Sequence, residues 1–127
     1  MQKEKVNKWV IKPWGRYKII DGNHLLGYKV KIIEILSHAR TSLQYHKYRS
    51  ERITVLSGEL LLELYEPHRE WARVHRLKPY SLIEINKRHI HRLTNEKYKR
   101  LCLLELQYGI KCIERDIKRL EDDYNRV

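Results

Sequence analysis

Cysteine is scarce in this chain of 127 residues, and no long apolar run interrupts it. Cys102 and Cys112 have no further cysteines with which to build a disulfide framework, so both are expected as free, structural thiols. Cys102 lies in the run Leu101-Cys-Leu-Leu104, where a thiol serves as a small buried hydrophobe. No stretch approaches the roughly twenty apolar residues of a bilayer-spanning helix. The charged start, Met1 to Lys8, is not followed by an apolar segment of signal-peptide length. Internal repeats, low-complexity tracts and linkers are missing too. These absences exclude a disulfide-stapled scaffold, a helical membrane protein and a repeat array. The expectation is a soluble, cytoplasmic protein forming one domain over residues 1–127.

What is present in excess is positive charge, with 27 Lys and Arg against 16 Asp and Glu, a formal charge of +11. Such an excess can mark a nucleic-acid or phosphate partner. The cations are spread along the chain rather than gathered in a block, which fits a solvated surface equally well. Tyr45, Tyr48 and Tyr98 stand among basic residues and would suit stacking on single strands. No nucleic-acid motif accompanies them, so neither nucleic acid nor membrane is expected as a partner.

The apolar pattern is that of short strands. Tyr28 to Ile32 alternates, and Ile32-Ile33 breaks the period as a bulge would. Ile53 to Leu56 and Glu59 to Leu64 flank a tight turn at Ser57-Gly58, with Leu60, Leu62 and Leu64 on one face. Tyr65 to Glu70 reads as a hairpin tip. Trp71 to Leu77, Ser81 to Ile85, His91 to Thr94 and Arg100 to Gln107 are further strands. This spacing predicts an all-β sandwich or barrel. Ile113, Ile117, Leu120 and Tyr124 recur at helical intervals and predict a short amphipathic C-terminal helix packed on it.

Chemistry concentrates in Gln44, His46, Glu51 and His91. Alternation along a strand puts Gln44 and His46 on one side, and Glu51 can return to it after a short turn. One amide, one carboxylate and two imidazoles suit a divalent metal such as zinc, manganese, cobalt, nickel or iron. The competing reading is a set of polar groups that satisfy one another in a cavity.

The spacing Gln44-x-His46-x4-Glu51-x6-Gly58, followed by His91-Arg-Leu-Thr-Asn95, resembles the two motifs of the cupin family. Within it the chain is similar to the type II mannose-6-phosphate isomerase domain, which usually forms the C-terminal half of bifunctional mannose-1-phosphate guanylyltransferases and also occurs alone. Thr41-Ser-Leu-Gln44, the opening Lys12-Pro-Trp-Gly-Arg-Tyr17, Gly27-Tyr-Lys-Val-Lys31, Glu105-Leu-Gln-Tyr-Gly109 and the closing Asp116 to Arg126 carry that resemblance over about residues 12–126. It implies a double-stranded β-helix, or jelly-roll barrel, with Gln44, His46, Glu51 and His91 as metal ligands. It also implies interconversion of mannose 6-phosphate and fructose 6-phosphate, and a homodimer.

Arg49 occupies a position that is also arginine in the family. Arg49, Arg119 and Glu51 are the catalytic candidates, and Lys29, Lys31, Lys47, Arg49 and Arg52 are candidates for binding a sugar phosphate, Arg gripping phosphate bidentately. Arg119 and Glu121 lie in the closing motif, expected near the mouth of the site. Trp9, Trp14 and Trp71 are read as packing residues. The chain departs from the family pattern at Lys47, Tyr48 and Arg52, where histidines are usual. It departs again at His38, Tyr80 and Arg88, where glycines are usual, and at Asn86, where proline is usual. Loops there must either take another course or hold strained residues. A non-catalytic or differently specific cupin that binds a sugar phosphate or sugar nucleotide is the alternative these departures raise.

Overall fold

The computed structural model describes residues 6–66 and 70–127. Its strands are β1 (Val10–Lys12), β2 (Gly15–Asn23), β3 (Tyr28–Ile35), β4 (Leu43–Tyr45), β5 (Arg49–Ser57), β6 (Leu60–Tyr65), β7 (Arg73–Leu77), β8 (Leu82–Ile85), β9 (Ile90–Thr94), β10 (Leu101–Gly109) and β11 (Lys118–Glu121). They form a six-stranded sheet in the order β1-β2-β3-β10-β5-β8 and a five-stranded sheet in the order β11-β4-β9-β6-β7. All the strand pairings are antiparallel. Two such sheets facing each other bury alternate residues of each strand between them. The predicted hairpin tip falls partly on residues 67–69, and the charged start on residues 1–5, outside the described residues.

The inward faces change character at one level of the barrel. Along β3 they are Lys29, Lys31, Ile33 and Ile35, and along β5 Arg49, Glu51, Ile53 and Val55. Along β10 they are Gln107, Glu105, Leu103 and Leu101. Register aligns these sets, so that Lys29, Gln107 and Glu51 form one row and Lys31, Glu105 and Ile53 the next. Beyond those rows the interior is apolar, with Leu60, Leu62 and Leu64 closing it from the opposite sheet together with Leu93 and Trp14. The apolar end supplies the burial that drives folding, about 25 cal/mol per Å² of apolar surface removed from water. The polar end must be satisfied by pairing or by a ligand.

This gradient explains one departure from the expected pattern. The break at Ile32-Ile33 is no bulge in β3, whose alternation is unbroken. The side that faces in carries Lys29 and Lys31, while the apolar Val30 and Ile32 lie on the outer, half-buried face. The irregularity sits instead in the partner strand β2, between Ile19 and Asp21. Cys102 likewise faces outward between the buried Leu101 and Leu103, whereas Cys112 is buried with its thiol 3.9 Å from the Gly109 carbonyl.

The predicted C-terminal helix does not form. Lys118–Glu121 is a strand paired with β4, and the only helical element among the described residues is a 3-10 turn at His24–Leu26. The reason is long-range: the Asp116 carbonyl accepts from His46 Nδ1 at 2.7 Å, and the Ile113 carbonyl from Arg49 Nη1 at 2.6 Å besides the Asp116 amide at 3.1 Å. Tyr124 packs on the core, but Leu120 is exposed.

His38, Tyr80 and Arg88 have φ of 55°, 72° and 70°. The turns therefore keep a left-handed backbone course at positions where glycine would adopt it without strain. Of the tryptophans, Trp14 is core and Trp9 lies beneath Arg16, 3.8 Å from ring centre to guanidinium carbon. Trp71 is 63% exposed and does not pack inside.

Candidate metal centre

The polar end of the barrel gathers the predicted ligands. β4 is short, and its Gln44 pairs in register with His91 on β9. Between β4 and β5 the chain turns tightly, because the Asp116 carboxylate accepts from the backbone amides of Lys47 at 2.9 Å and Tyr48 at 3.0 Å. That clamp turns His46 and Glu51 to the same side. His46, Glu51 and His91 are all buried, and one ligand atom from each lies within 4.8 Å of the others.

The hydrogen bonds on the far sides of the rings define what the near sides can do. His46 Nδ1 faces the Asp116 carbonyl at 2.7 Å, and His91 Nδ1 faces the His89 carbonyl at 2.9 Å. A carbonyl only accepts, so each Nδ1 carries a proton and each ring turns its Nε2 to the centre. His46 Nε2 stands 2.5 Å from Glu51 Oε1, and His91 Nε2 stands 3.9 Å from Glu51 Oε2 without a hydrogen-bond partner. One ligand atom each from His46, Glu51 and His91 thus converges on a buried space. A cation between them resolves this, and backbone carbonyls behind metal-binding imidazoles are the usual means of fixing such ligands. Mutual satisfaction of polar groups does not account for the orphaned His91 Nε2.

Gln44 completes the set: its amide receives the Ser42 hydroxyl on Oε1 at 2.6 Å and sets Nε2 3.4 Å from His46 Nε2. A half-turn of the amide exchanges its two ends and delivers oxygen to the centre. The donor set therefore fits a divalent metal, with Gln44 the weakest ligand.

Burial alone would raise the Glu51 carboxyl, but the His46 and His91 imidazoles and the Arg49 guanidinium outweigh it and hold the group well below the ordinary range. Burial pushes His91 down, toward the neutral ligand form. Glu105, in the row beside Glu51, is pushed up to about 8 by burial and by the Glu51 charge, and accepts from Gln107 Nε2 at 2.5 Å.

A cavity of about 100 Å³ opens beside the centre and is lined by Gln44, Glu51, Arg49, Lys31, Arg119 and Glu105, among others. Of the residues expected to bind phosphate, Lys31 and Arg49 line it, Lys31 paired with Glu114. Lys29 is fully buried in the row of Gln107 and Glu51. Lys47 is exposed beside the Tyr48 ring, and Arg52 lies on the outer face, 3.8 Å from Glu84. The last two are not brought to the cavity. Arg119 lines it as expected, while Glu121 turns to Arg92 at 3.5 Å. Sequence reasoning missed Glu114, Glu105, Lys12, Arg126 and the clamp at Asp116. Glu105 was legible in principle, two residues from Gln107 on a strand whose alternate positions face in.

Fold and site together define a cupin, a β-barrel with a His/Glu/His cluster at its polar end. The chain belongs to the mannose-6-phosphate isomerase C-terminal family, which matches residues 1–122. Among its relatives is the alginate biosynthesis protein AlgA of Pseudomonas aeruginosa, 34% identical over 123 residues that cover 93% of this chain and 23% of AlgA. Another is the mannose-1-phosphate guanylyltransferase ManC of Salmonella typhimurium, 30% identical over 96% of this chain and 24% of ManC. The chain thus spans about a quarter of the length of these relatives. In structure it is similar to an oxalate decarboxylase of Bacillus subtilis, with a TM-score of 0.78 at 12% identity over 90% of this chain and 30% of that one. It is also similar to the capsular polysaccharide assembling protein CapF of Staphylococcus aureus, with a TM-score of 0.76 at 12% identity over 90% of this chain and 34% of that one. At those identities the structural likeness establishes the fold. No helix among the described residues is long and apolar enough to cross a membrane.

Proposed function

We propose that this protein interconverts mannose 6-phosphate and fructose 6-phosphate, using a divalent metal held by His46, Glu51, His91 and Gln44. The observation that carries the reading is the cluster of His46, Glu51 and the unpartnered His91 Nε2 beside a cavity that Gln44 and Glu51 line together with several cations. Family membership supplies the substrate class.

When bound, a divalent cation there polarises a sugar carbonyl and steadies the negative charge that develops on its oxygen. The chain's own residues do the rest. Arg49, fixed by its bond to the Ile113 carbonyl, presents a guanidinium beside Glu51 that orients a sugar oxygen. The proton that moves between C2 and C1 needs a carboxylate outside the ligand set. Glu114 is tied to Lys31, whereas Glu105 is buried, lines the cavity and stands in the row next to Glu51. Glu105, in its ionised form, therefore takes the proton from C2 of the aldose and returns a proton to C1, while the O2 hydroxyl proton passes to O1, giving the ketose.

The alternative, a binding cupin without catalysis, was raised by Lys47, Tyr48, Arg52 and Arg88. None of these side chains lines the cavity, which favours the catalytic reading over this alternative. The test is solvent exchange followed by proton NMR in deuterium oxide. Metal-loaded protein is expected to introduce deuterium at C1 of fructose 6-phosphate as it forms from mannose 6-phosphate, and Glu105→Gln to retain metal but lose turnover. Metal-loaded protein that leaves mannose 6-phosphate unchanged would refute the proposal.

A further inference from the structure

The cations that line the cavity fall into two tiers. Lys31 and Arg49 are buried, at 3% and 4% exposure, and their charges are answered: Lys31 pairs with Glu114, and Arg49 bonds the Ile113 carbonyl with Glu51 at 3.9 Å. Lys12, Arg119 and Arg126 line the same cavity but are half-buried, toward solvent. They come from three separate parts of the chain: β1, β11 and the C-terminal tail. Arg126 is anchored by two bonds to Asp122, at 2.7 and 2.9 Å. Among the described residues Lys12 and Arg119 have no ion-pair partner within reach, and Arg119 Nε is buried without a hydrogen-bond partner. β11 pairs with β4 so that Arg119 lies directly opposite Gln44. The outer tier therefore adjoins the metal ligands without being occupied by them.

Like charges gathered in this way repel. Burial and then Arg126 hold the Arg119 guanidinium below its ordinary value, and burial, Arg119, Arg126 and Lys31 do the same to Lys12 against the pull of Glu114. Three cations lining one cavity mouth, with the buried Arg119 Nε orphaned, make a site for an anion, and a guanidinium fork matches phosphate oxygens best.

We infer that Lys12, Arg119 and Arg126 bind the phosphate monoester of the substrate at the cavity mouth, while Lys31 and Arg49 do not. This rests on the proposed isomerase reading only for the identity of the sugar. It fixes the orientation: the phosphate sits outermost, and the opposite end of the sugar, carrying C1 and C2, points inward to Glu105 and the ligand cluster. Binding energy from a remote phosphate is thereby available to position the reacting carbons.

The test is calorimetric titration of the metal-free, full-length chain with inorganic phosphate and with mannose 6-phosphate. Neither ligand need react for the result to be read. Lys12→Gln and Arg119→Gln are each expected to weaken both ligands about tenfold, the size expected of one charge-assisted hydrogen bond. Arg119→Lys should recover part of the loss, and Arg52→Gln, on the outer face, should bind as the parent does. Unchanged melting temperatures of the variants show that they fold. Phosphate binding that survives Lys12→Gln and Arg119→Gln, or no binding by the parent chain, would overturn the inference. Binding lost in those variants from a protein that turns over no sugar phosphate would leave the phosphate site standing and remove the isomerase reading alone.

Discussion

His91 Nε2 faces Glu51 Oε2 across 3.9 Å, with its own Nδ1 fixed on the His89 carbonyl and no donor between the two acceptors. The arrangement is complete only with a cation in that space, and the first prediction follows from it. Added zinc, manganese, cobalt or nickel should raise the melting temperature of chelator-stripped protein, since a ligand that binds only the folded state adds about 2.7 kcal/mol at a hundredfold excess over Kd. His91→Ala should remove that rise and lower metal content measured by elemental analysis. An equal rise in His91→Ala would count against the site.

Glu114 gives a pH dependence of definite sign. Its burial would raise the carboxyl, but Lys31 and then Arg49 bring it down to about 2 from an ordinary 4.5. A depressed carboxyl stabilises the fold fully above the unfolded value and loses that contribution as pH falls from 4.5 through 2. Urea midpoints measured between pH 6 and pH 3 should fall less steeply for Glu114→Gln than for the parent chain. Parallel curves would show that the ion pair adds nothing.

Tyr80 tests the strained turns. It holds φ of 72° while 85% exposed, so its side chain contributes little packing against which the strain is set. Tyr80→Gly should match or exceed the parent in thermal stability, and Tyr80→Val should lose about 1 kcal/mol or more, because a β-branched residue tolerates that backbone least. Thermal unfolding followed by circular dichroism decides it, and a clear loss in the glycine variant would mean the turn is held by more than its backbone.

The opposite case is Gly109, with φ of 148° and a backbone against Tyr48, where an added Cβ would meet the Tyr48 carbonyl oxygen at 2.3 Å. Gly109→Ala forces the β10 end away from the start of β5, which carries Arg49 and Glu51. A stability loss of several kcal/mol is expected, about the scale of a severe core change, together with weakened metal binding in whatever fraction folds. Wild-type stability and metal content in this variant would show that the close approach is not required.

Much of this architecture is legible in the chain. The spacing of Gln44, His46, Glu51 and His91 marks residues that the fold brings together, and the alternation of Leu60, Leu62 and Leu64 gives a core face correctly. What misleads is the identity of the inward residues at the polar end. In β3 the rule that apolar residues face in picks Val30 and Ile32, whereas Lys29 and Lys31 face in because Glu114, Gln107 and Glu105 wait for them across strands distant in sequence. The tail misleads for the same reason. Ile113, Ile117, Leu120 and Tyr124 have helical spacing, but the carbonyls of that segment belong to His46 and Arg49. Long-range hydrogen bonds override a local period, and no local pattern reports them. Arg52 follows Glu51 on β5 yet points elsewhere, since neighbours on a strand face opposite ways, and Lys47 is exposed in the turn between β4 and β5.

Catalysis by a metal held in this barrel is tested most directly by a coupled assay of mannose 6-phosphate conversion to fructose 6-phosphate. Protein stripped by chelator should be inactive, regain turnover with at least one of zinc, manganese, cobalt, nickel or iron, and lose it again in His46→Ala and His91→Ala. Protein that binds metal stoichiometrically through His46 and His91 and still forms no fructose 6-phosphate would contradict it.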